Sequence, residues 1–285
     1  MSVLLDGKAL ASKIKKEISE ESKRREAAGK ARPALAVILV GEDPASAVYV
    51  RNKEKDCLEC GIKSVPYKLT ADYGEEKLLS LIDALNGDPA IHGILVQLPL
   101  PPGYDERRVI ERIDPAKDVD AFHPVNVGRL TIGEEGFLPC TPAGIVALLD
   151  EYGIDPTGKN CVVIGRSNIV GKPMALLLLR RNGTVTVAHS RTVDLPSLTR
   201  NADILVSAVG KAGFVTPDMV KKGAVIIDVG MNRNAEGRLC GDVDFDGCAP
   251  LASFITPVPG GVGPMTRAIL MKNTLYAAEL ADEIG

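Results

Sequence analysis

The 285-residue sequence lacks the features that direct a protein to a membrane or to nucleic acid. It has no apolar run as long as a bilayer crossing requires. Its net charge of −3 and its pI near 5.8 leave no basic excess for binding polyanions. Its first residues show neither a signal-peptide pattern nor a transit-peptide pattern. We therefore expect a cytoplasmic protein whose main partners are neither nucleic acid nor membranes.

Cysteine is sparse, and only Cys57 and Cys60 lie close together in the sequence. They fall in a charged helical pattern without a second ligand pair. We interpret them as structural residues, with a zinc site or a redox dithiol as the weaker alternative. Asp118 and Asp120 could also bind a metal, but two carboxylates alone are a weak indication. No metal site is predicted.

Strand-like and helical patterns alternate along nearly the whole chain, which is typical of α/β folds with parallel sheets. Strands are predicted over 35–40, 64–69, 91–98, 162–164, 184–188, 203–207, 224–228 and 253–255. Helices are predicted over 45–60, 75–85, 142–152, 174–181 and 265–283. Between Pro99 and Pro142 the chain is rich in proline and glycine, and we interpret this segment as an ordered connection between two domains.

A glycine-containing turn follows the apolar run Val162–Ile164. Gly165 ends that run, Gly171 lies six residues further on, and a helical pattern begins at Met174. Glycines permit close approach of the backbone to a ligand, and a helix N-terminus offers unpaired N–H donors. The arrangement predicts a phosphate-binding site, although its spacing is not that of the usual dinucleotide fingerprint.

The end of the next strand indicates which nucleotide binds. NAD-binding folds usually place an Asp or Glu there to bind the ribose 2′-hydroxyl. Here Ser190 and Arg191 occupy that place, and Arg166 lies inside the glycine turn. A single arginine would be interpreted as a solvated surface residue. Two arginines and a serine around one expected phosphate position favour NADP, because guanidinium groups bind phosphate bidentately.

Three further segments could carry chemistry. Tyr49 and Lys53 are four residues apart and share a helix face, where they could act on a substrate or form a plain surface pair. They precede the glycine turn, which excludes the arrangement of short-chain dehydrogenases. Gln97 follows a buried strand, at the end where α/β sheets bind ligands, although a loop glutamine is an equally good interpretation. Pro257–Thr266 has three glycines and three prolines before a helix, which favours a ligand-binding segment.

Taken together, these segments resemble the methylenetetrahydrofolate dehydrogenase/cyclohydrolase family of the bifunctional bacterial FolD type. The resemblance covers essentially the whole chain. It rests on Tyr49-x-x-x-Lys53, Val96–Pro99, Lys117–Asp120, Gly165–Ser167 with Val170–Pro173, and Pro257–Thr266. One departure is Ala121, because the family usually has glycine after the aspartate; a methyl group there could reshape the pterin pocket.

The resemblance implies two reactions in one cleft between two α/β domains. A hydride passes from 5,10-methylenetetrahydrofolate to NADP⁺, and the methenyl product is then hydrolysed to 10-formyltetrahydrofolate, a precursor in purine biosynthesis. The implied domains are a folate-binding catalytic domain over residues 1–143, with helix 270–285 packing back on it, and a Rossmann-type NADP-binding domain over residues 144–269. The resemblance also implies a homodimer.

The resemblance assigns a role to each site residue. Lys53 is the key group of the hydrolytic step, Gln97 positions it, Tyr49 orients the folate, and Asp120 binds the pterin N–H groups. The other implied folate-binding residues are Val96, Leu98, Pro259, Gly260, Gly261, Val262 and Gly263. The implied cofactor-binding residues are Gly165, Arg166, Ser167, Gly171, Ser190, Arg191 and Met231.

Two other interpretations compete with this one. A two-domain dehydrogenase of the shikimate or malic type would need a Lys/Asp pair for an alcohol substrate, which the sequence does not place convincingly. A non-catalytic NADP-sensing module would make Tyr49, Lys53 and Asp120 purely structural. Turnover of folate substrates separates the first interpretation from both alternatives.

Overall fold

A computed structural model describes residues 2–284 of the chain. In this range the β-strands are β1 (Val3–Leu4), β2 (Ala34–Val40), β3 (Lys63–Leu69), β4 (Gly93–Val96), β5 (Asn160–Ile164), β6 (Thr184–Ala188), β7 (Ile204–Ser207), β8 (Val225–Asp228), β9 (Asn232–Arg233), β10 (Leu239–Cys240) and β11 (Phe254–Ile255). The α-helices are α1 (Gly7–Ala27), α2 (Pro44–Glu59), α3 (Glu75–Gly87), α4 (Glu106–Arg112), α5 (Pro124–Ile132), α6 (Cys140–Glu151), α7 (Gly171–Arg180), α8 (Leu195–Thr199), α9 (Phe245–Cys248) and α10 (Val262–Ile284).

The chain folds as two compact units. The six-stranded unit contains residues 2–11 and Pro139–Thr266, and the three-stranded unit contains Ser12–Leu138 and residues 267–284. These ranges differ from the predicted domain ranges mainly at the N-terminus. The first residues join the six-stranded unit because β1 pairs in parallel with β11.

The six-stranded unit is built on a parallel sheet with the strand order β1-β11-β8-β7-β5-β6. Strands β7 and β8 are buried throughout, and such continuous apolar strands are typical of parallel sheets buried on both faces. The core of this unit includes Val162, Leu205 and Ile226, and Val162 lies opposite Leu205 in the β5–β7 register. The antiparallel pair β9–β10 lies outside this sheet.

The three-stranded unit contains a parallel sheet with the strand order β3-β2-β4. Every residue of the central strand β2 is buried. Helix α3 packs its apolar face, including Leu78 and Ile82, into the core beside Ile38 and Ile94. Because all three strands are parallel, their carboxyl ends lie at one edge of the sheet, where Gln97 follows β4.

The predicted parallel α/β fold is confirmed, with differences in detail. Strand β4 is shorter than the predicted 91–98, and α6 begins at Cys140, before the predicted 142. The segment predicted as an ordered connection between two domains contains α4 and α5, and α1 is not among the predicted elements. Within residues 2–284, no helix is both long and apolar enough to span a bilayer.

Candidate active site

Lys53 and Gln97 meet in the three-stranded unit. Lys53 lies on α2, whose N-terminus is capped by Asp43 through a 2.7 Å hydrogen bond from the Ser46 N–H. Its Nζ donates to Gln97 Oε1 at 3.0 Å. The Gln97 amide is itself oriented, because Nε2 donates to the Leu98 carbonyl at 2.7 Å. The amide oxygen is therefore held toward the ammonium group.

Tyr49 and Asp56 occupy the same face of α2 as Lys53, four residues before it and three after it. The buried Asp56 carboxylate binds Arg267 of α10 at 2.8 Å and Lys15 of α1 at 3.0 Å. Partial burial raises the pKa of the Tyr49 phenol, and the positive charge of Arg267 opposes that increase. Ion pairs from two helices thus hold the helix face that carries the predicted catalytic residues.

Asp120 lies beside the end of β4. Ile94 and Asp118 form a parallel bridge, so Val96 and Asp120 each lie two residues beyond that bridge. The carboxylate of Asp118 is buried and accepts hydrogen bonds from the His123 N–H and the Asn126 amide, both at 2.8 Å. Burial raises the pKa of Asp118, and these hydrogen bonds oppose the increase. Asp118 therefore holds its own loop in shape, and Asp120 is left as the carboxylate suited to a ligand.

Ala121 is buried with a φ of 59°, in the left-handed region. Glycine adopts this conformation without steric strain, whereas alanine does not. The backbone at this point explains why glycine is usual there in the family that the sequence resembles. The Ala121 N–H donates to the Asp118 carbonyl at 3.0 Å, which completes the turn next to Asp120.

The cysteines are free thiols, and Cys57 and Cys60 are fully buried. Burial raises the pKa of each of these two thiols to about 12, so both stay protonated near neutral pH. Across the described residues, no group of three or more His, Cys, Asp or Glu side chains could hold a metal ion. The complete burial of both thiols agrees with a structural interpretation of the pair.

The glycine turn in the six-stranded unit is tightly packed. Gly165 has a φ of 128°, and a Cβ there would lie 2.5 Å from the Ala208 carbonyl oxygen. A Cβ at Gly171 would overlap the Gly165 carbonyl oxygen. Both positions therefore require glycine.

The start of α7 differs from the prediction of unpaired N–H donors. Ser167 Oγ accepts from the N–H groups of Val170 and Gly171, both at 3.2 Å. The Ser167 carbonyl accepts from the Lys172 N–H at 3.0 Å. Ser167 thus caps the helix from within the turn, and these three donors are already bonded in the protein.

A pocket of about 480 Å³ opens beside this turn. Its lining combines backbone, cationic, hydroxyl and apolar groups; the residues are Ile164, Gly165, Arg166, His189, Ser190, Thr192, Leu195, Ala208, Val209, Lys211 and Phe214. None of these described lining residues is acidic. The cations and hydroxyls fit the phosphate of a nucleotide, and the apolar side chains fit its base.

His189 is a pocket residue to which the sequence assigned no role. Its ring Nδ1 accepts a hydrogen bond from the backbone N–H of Arg191 at 3.2 Å, and the backbone N–H of His189 donates to Thr192 Oγ1 at 2.8 Å. These bonds shape the turn that carries Ser190 and Arg191. The signal was present in the sequence, since a histidine directly after a parallel strand lies at the ligand-binding edge of the sheet.

The segment Pro259–Gly263 belongs to the six-stranded unit. The Val258–Pro259 peptide is cis, and Gly260 has a φ of 112°. The Gly260 carbonyl accepts from the Lys8 N–H at 2.9 Å, and a Cβ at Gly7 would overlap the Gly261 carbonyl oxygen. The start of α1 therefore packs closely against this segment.

The structure brings Lys53 to Gln97 and places Asp120 beside the same strand. It brings Gly165, Arg166 and Ser190 into one pocket lining. Four other predicted cofactor residues are not in that lining. Ser167 and Gly171 form the turn, Arg191 is exposed next to Ser190, and Met231 lies near Gly263.

Two family models match the chain. The catalytic-domain model of tetrahydrofolate dehydrogenase/cyclohydrolase matches residues 5–120. The NAD(P)-binding-domain model of the same family matches residues 139–282.

The chain is also similar to individual proteins over nearly its full length. The bifunctional protein FolD of Polaromonas naphthalenivorans is 57% identical, over 97% of this chain and 98% of that protein. The structure of bifunctional FolD from Campylobacter jejuni matches with a TM-score of 0.97 and 51% identity, over 98% of this chain and 99% of that one. The Trypanosoma brucei FolD structure, complexed with NADP cofactor and inhibitor, matches with a TM-score of 0.94 and 41% identity, over 99% and 98% of the two chains.

Proposed function

The chain belongs to the tetrahydrofolate dehydrogenase/cyclohydrolase family, and from this premise we propose how its residues carry out the two reactions. The enzyme is bifunctional. It oxidises 5,10-methylenetetrahydrofolate with NADP⁺ and hydrolyses the resulting 5,10-methenyltetrahydrofolate to 10-formyltetrahydrofolate. Bound NADP⁺ supplies the hydride acceptor of the first reaction.

Lys53 is the proton-transfer group of the hydrolytic step. Hydration of the methenyl carbon requires that the attacking water lose a proton and that a ring nitrogen gain one as the C–N bond breaks. The observation that carries this proposal is the 3.0 Å hydrogen bond from Lys53 Nζ to the oriented Gln97 amide. A neutral acceptor holds the amine in place without the full charge of a carboxylate, so Gln97 is a positioning residue.

Asp120 binds the pterin ring. A carboxylate accepts two parallel hydrogen bonds from the amino group and ring N–H of a 2-amino-pyrimidinone. Its position beside the end of β4 puts it at the same sheet edge as Gln97. Tyr49, whose ring is exposed on the same face of α2 as Lys53, orients the folate, and Val96 and Leu98 flank Gln97 on the folate side.

The pocket of the six-stranded unit holds the cofactor. Arg166, Ser190 and Arg191 bind the 2′-phosphate, and Gly165 lets the backbone approach the cofactor closely. Ser167 and Gly171 support this role by forming the turn, and the backbone near Met231 also contributes.

The three-stranded unit is the folate-binding catalytic domain, and the six-stranded unit is the Rossmann-type NADP-binding domain. The two units correspond to the predicted ranges 1–143 with 270–285 and 144–269, except at the boundaries and at residues 2–11, which lie in the six-stranded unit. Folate also binds to the backbone of Pro259, Gly260, Gly261, Val262 and Gly263, where Gly260 adopts a positive φ that favours glycine.

Lys53→Met, compared with Lys55→Met, tests the catalytic proposal. Lys55 lies on the same helix but is exposed, so its variant controls for the loss of a lysine from α2. We expect Lys53→Met to lower the rate of methenyltetrahydrofolate hydrolysis by about 10²- to 10⁴-fold. Lys55→Met should keep the rate of the unsubstituted enzyme. Equal rates for the two variants would remove Lys53 from the mechanism.

The resemblance to bacterial family members also supports a cytoplasmic homodimer whose 10-formyltetrahydrofolate product enters purine biosynthesis, with no nucleic acid among its partners. The net charge of −3 agrees with the last of these points. Light scattering coupled to size exclusion measures the oligomeric state directly. A mass of 30.2 kDa would identify a monomer and contradict the dimer.

A further inference from the structure

A fully buried carboxylate, Asp242, lies directly behind the pocket of the six-stranded unit. Its Oδ2 accepts hydrogen bonds from Ser207 Oγ at 3.1 Å, from the Val209 N–H at 2.8 Å and from the Gly210 N–H at 3.3 Å. Its Oδ1 accepts from the Lys211 N–H at 2.9 Å and from Asn232 Nδ2 at 2.9 Å. Five donors therefore converge on one side chain: the last residue of β7, three successive residues of the loop that follows it, and the first residue of β9.

The loop that Asp242 holds also forms part of the pocket wall. Val209 and Lys211 line the pocket, and their N–H groups are two of the donors to Asp242. Three successive backbone N–H groups around one anion form a concavity of the kind that binds anions in proteins. Here the protein's own carboxylate fills it, so these N–H groups face the interior and are not available to a ligand.

Glycine at position 210 is part of this arrangement. The φ of Gly210 is 68°, in the left-handed region. This conformation directs the Gly210 N–H toward the Asp242 carboxylate, to which the N–H groups of Val209 and Lys211 also donate. A Cβ at this residue would meet nothing within 4 Å, so the requirement for glycine is conformational and not a matter of space.

The second loop connects Asp242 to the predicted cofactor residue Met231. Asn232 follows Met231 and donates to Asp242, and the N–H of Asp242 donates to Asp228 Oδ1 at 2.8 Å. Asp228 Oδ1 also accepts from the Gly230 N–H at 2.9 Å. Loops 208–211 and 230–232 are thus fixed to each other through two buried carboxylates at the carboxyl ends of β7 and β8.

We propose that Asp242 is a positioning residue for cofactor binding, which fixes the pocket wall at Val209–Lys211 and the Met231 loop in the shape that accepts NADP. The inference rests on the proposed role of this pocket as the NADP site. Asp242 does not touch the cofactor, because all of its carboxylate contacts are internal and the side chain is inaccessible to solvent.

The test is Asp242→Asn, with Asp244→Asn as its matched control. Asparagine has the same shape but turns one acceptor oxygen into a donor that faces the N–H groups of the loop. Asp244 is two residues away and caps α9 through the Gly247 N–H at 3.2 Å, so its variant perturbs stability without touching the pocket loops. The readouts are the NADPH dissociation constant from NADPH fluorescence, the midpoint of thermal unfolding, and cofactor-free hydrolysis of methenyltetrahydrofolate.

We expect Asp242→Asn to raise the NADPH dissociation constant by about tenfold or more, since at least two buried donors lose their acceptor. Cofactor-free hydrolysis should stay within about twofold of the unsubstituted enzyme, because hydrolysis alone does not use the pocket loops. Asp244→Asn should leave the dissociation constant unchanged. An unchanged dissociation constant in folded Asp242→Asn, or an equal increase in both variants, would overturn the inference.

If Asp242→Asn does not fold, Gly210→Ala and Gly223→Ala replace that comparison. Both glycines have positive φ, 68° and 85°, and open space around the missing Cβ, so the two substitutions cost similar strain. Only Gly210 donates to Asp242; Gly223 precedes β8 at the opposite end of the sheet. Weaker NADPH binding in Gly210→Ala alone supports the inference, and equal binding in the two variants overturns it. Failure of the unsubstituted enzyme to bind NADPH would instead overturn the proposed cofactor site itself.

Discussion

Removal of the Gln97 amide should selectively slow the hydrolytic reaction. In the structure the amide accepts a hydrogen bond from the Lys53 ammonium at 3.0 Å and is anchored to the Leu98 carbonyl at 2.7 Å. A hydrogen bond to a charged group is worth about 1.5–3 kcal/mol, which corresponds to a factor of about 10 to 100 in rate. Gln97→Ala should therefore lower kcat/KM for methenyltetrahydrofolate hydrolysis by about that factor.

The assay follows the loss of methenyl absorbance for Gln97→Ala, Lys53→Met and the double variant. If Gln97 acts only through Lys53, adding Gln97→Ala to Lys53→Met should cause no further loss. Asn86→Ala is the control. The Asn86 amide donates a hydrogen bond to the Arg112 carbonyl at 2.8 Å, and Asn86 precedes β4, at the end of the strand opposite to Gln97. Fully additive effects of the two site substitutions would refute the positioning role of Gln97.

Three further outcomes are expected. Asp120→Ala should raise the folate KM about 100-fold or more while leaving the NADP⁺ KM unchanged, since two charge-assisted hydrogen bonds are lost; an unchanged folate KM would contradict the pterin assignment. Arg191→Gln should raise the NADP⁺ KM about tenfold but not the NAD⁺ KM, and a parallel rise in both would exclude a 2′-phosphate role. Burial raises the pKa of Asp228 to about 6, so its carboxyl carbon should titrate near pH 6 by NMR and not near pH 4. Because the folded state then binds this proton more tightly than the unfolded state, the contribution of Asp228 to stability should fall by about 3 kcal/mol as pH rises from about 4 to about 6, and stay constant above.

The elements of the fold could be predicted where the signal is local. Strand β2 is an unbroken apolar run with no polar residue, and the turn at Gly165 follows a similar run in β5. By contrast, β1 has two exposed residues and is a strand only because it pairs with β11, some 250 residues later in the chain. Helix α1 is rich in charged residues, and its large apolar residues, Leu10, Ile14 and Ile18, are confined to its N-terminal part, so the apolar stripe does not extend along the helix. The division between the two units depends on such distant contacts, and local patterns do not predict it.

The candidate site shows the same limit. Residue type and position in a strand–turn–helix unit predicted Gly165, Arg166 and Ser190, and these three line the pocket. The contributions of Asp242 and His189 depend on which backbone N–H groups the folded loops direct at them, and the spacing of residues in the sequence does not predict this geometry. For the same reason, the sequence does not predict that N–H groups at the start of α7 are already hydrogen-bonded, since the Ser167 hydroxyl approaches them only in the folded turn.

The most direct test of the central claim is a pair of absorbance measurements on one sample of the purified protein. The first mixes it with 5,10-methylenetetrahydrofolate and NADP⁺, and the second with methenyltetrahydrofolate alone. We expect NADPH to form in the first measurement and the methenyl band to decay faster than in buffer in the second. NADPH formation without accelerated decay, or the absence of both signals, would contradict the assignment of two reactions to this chain.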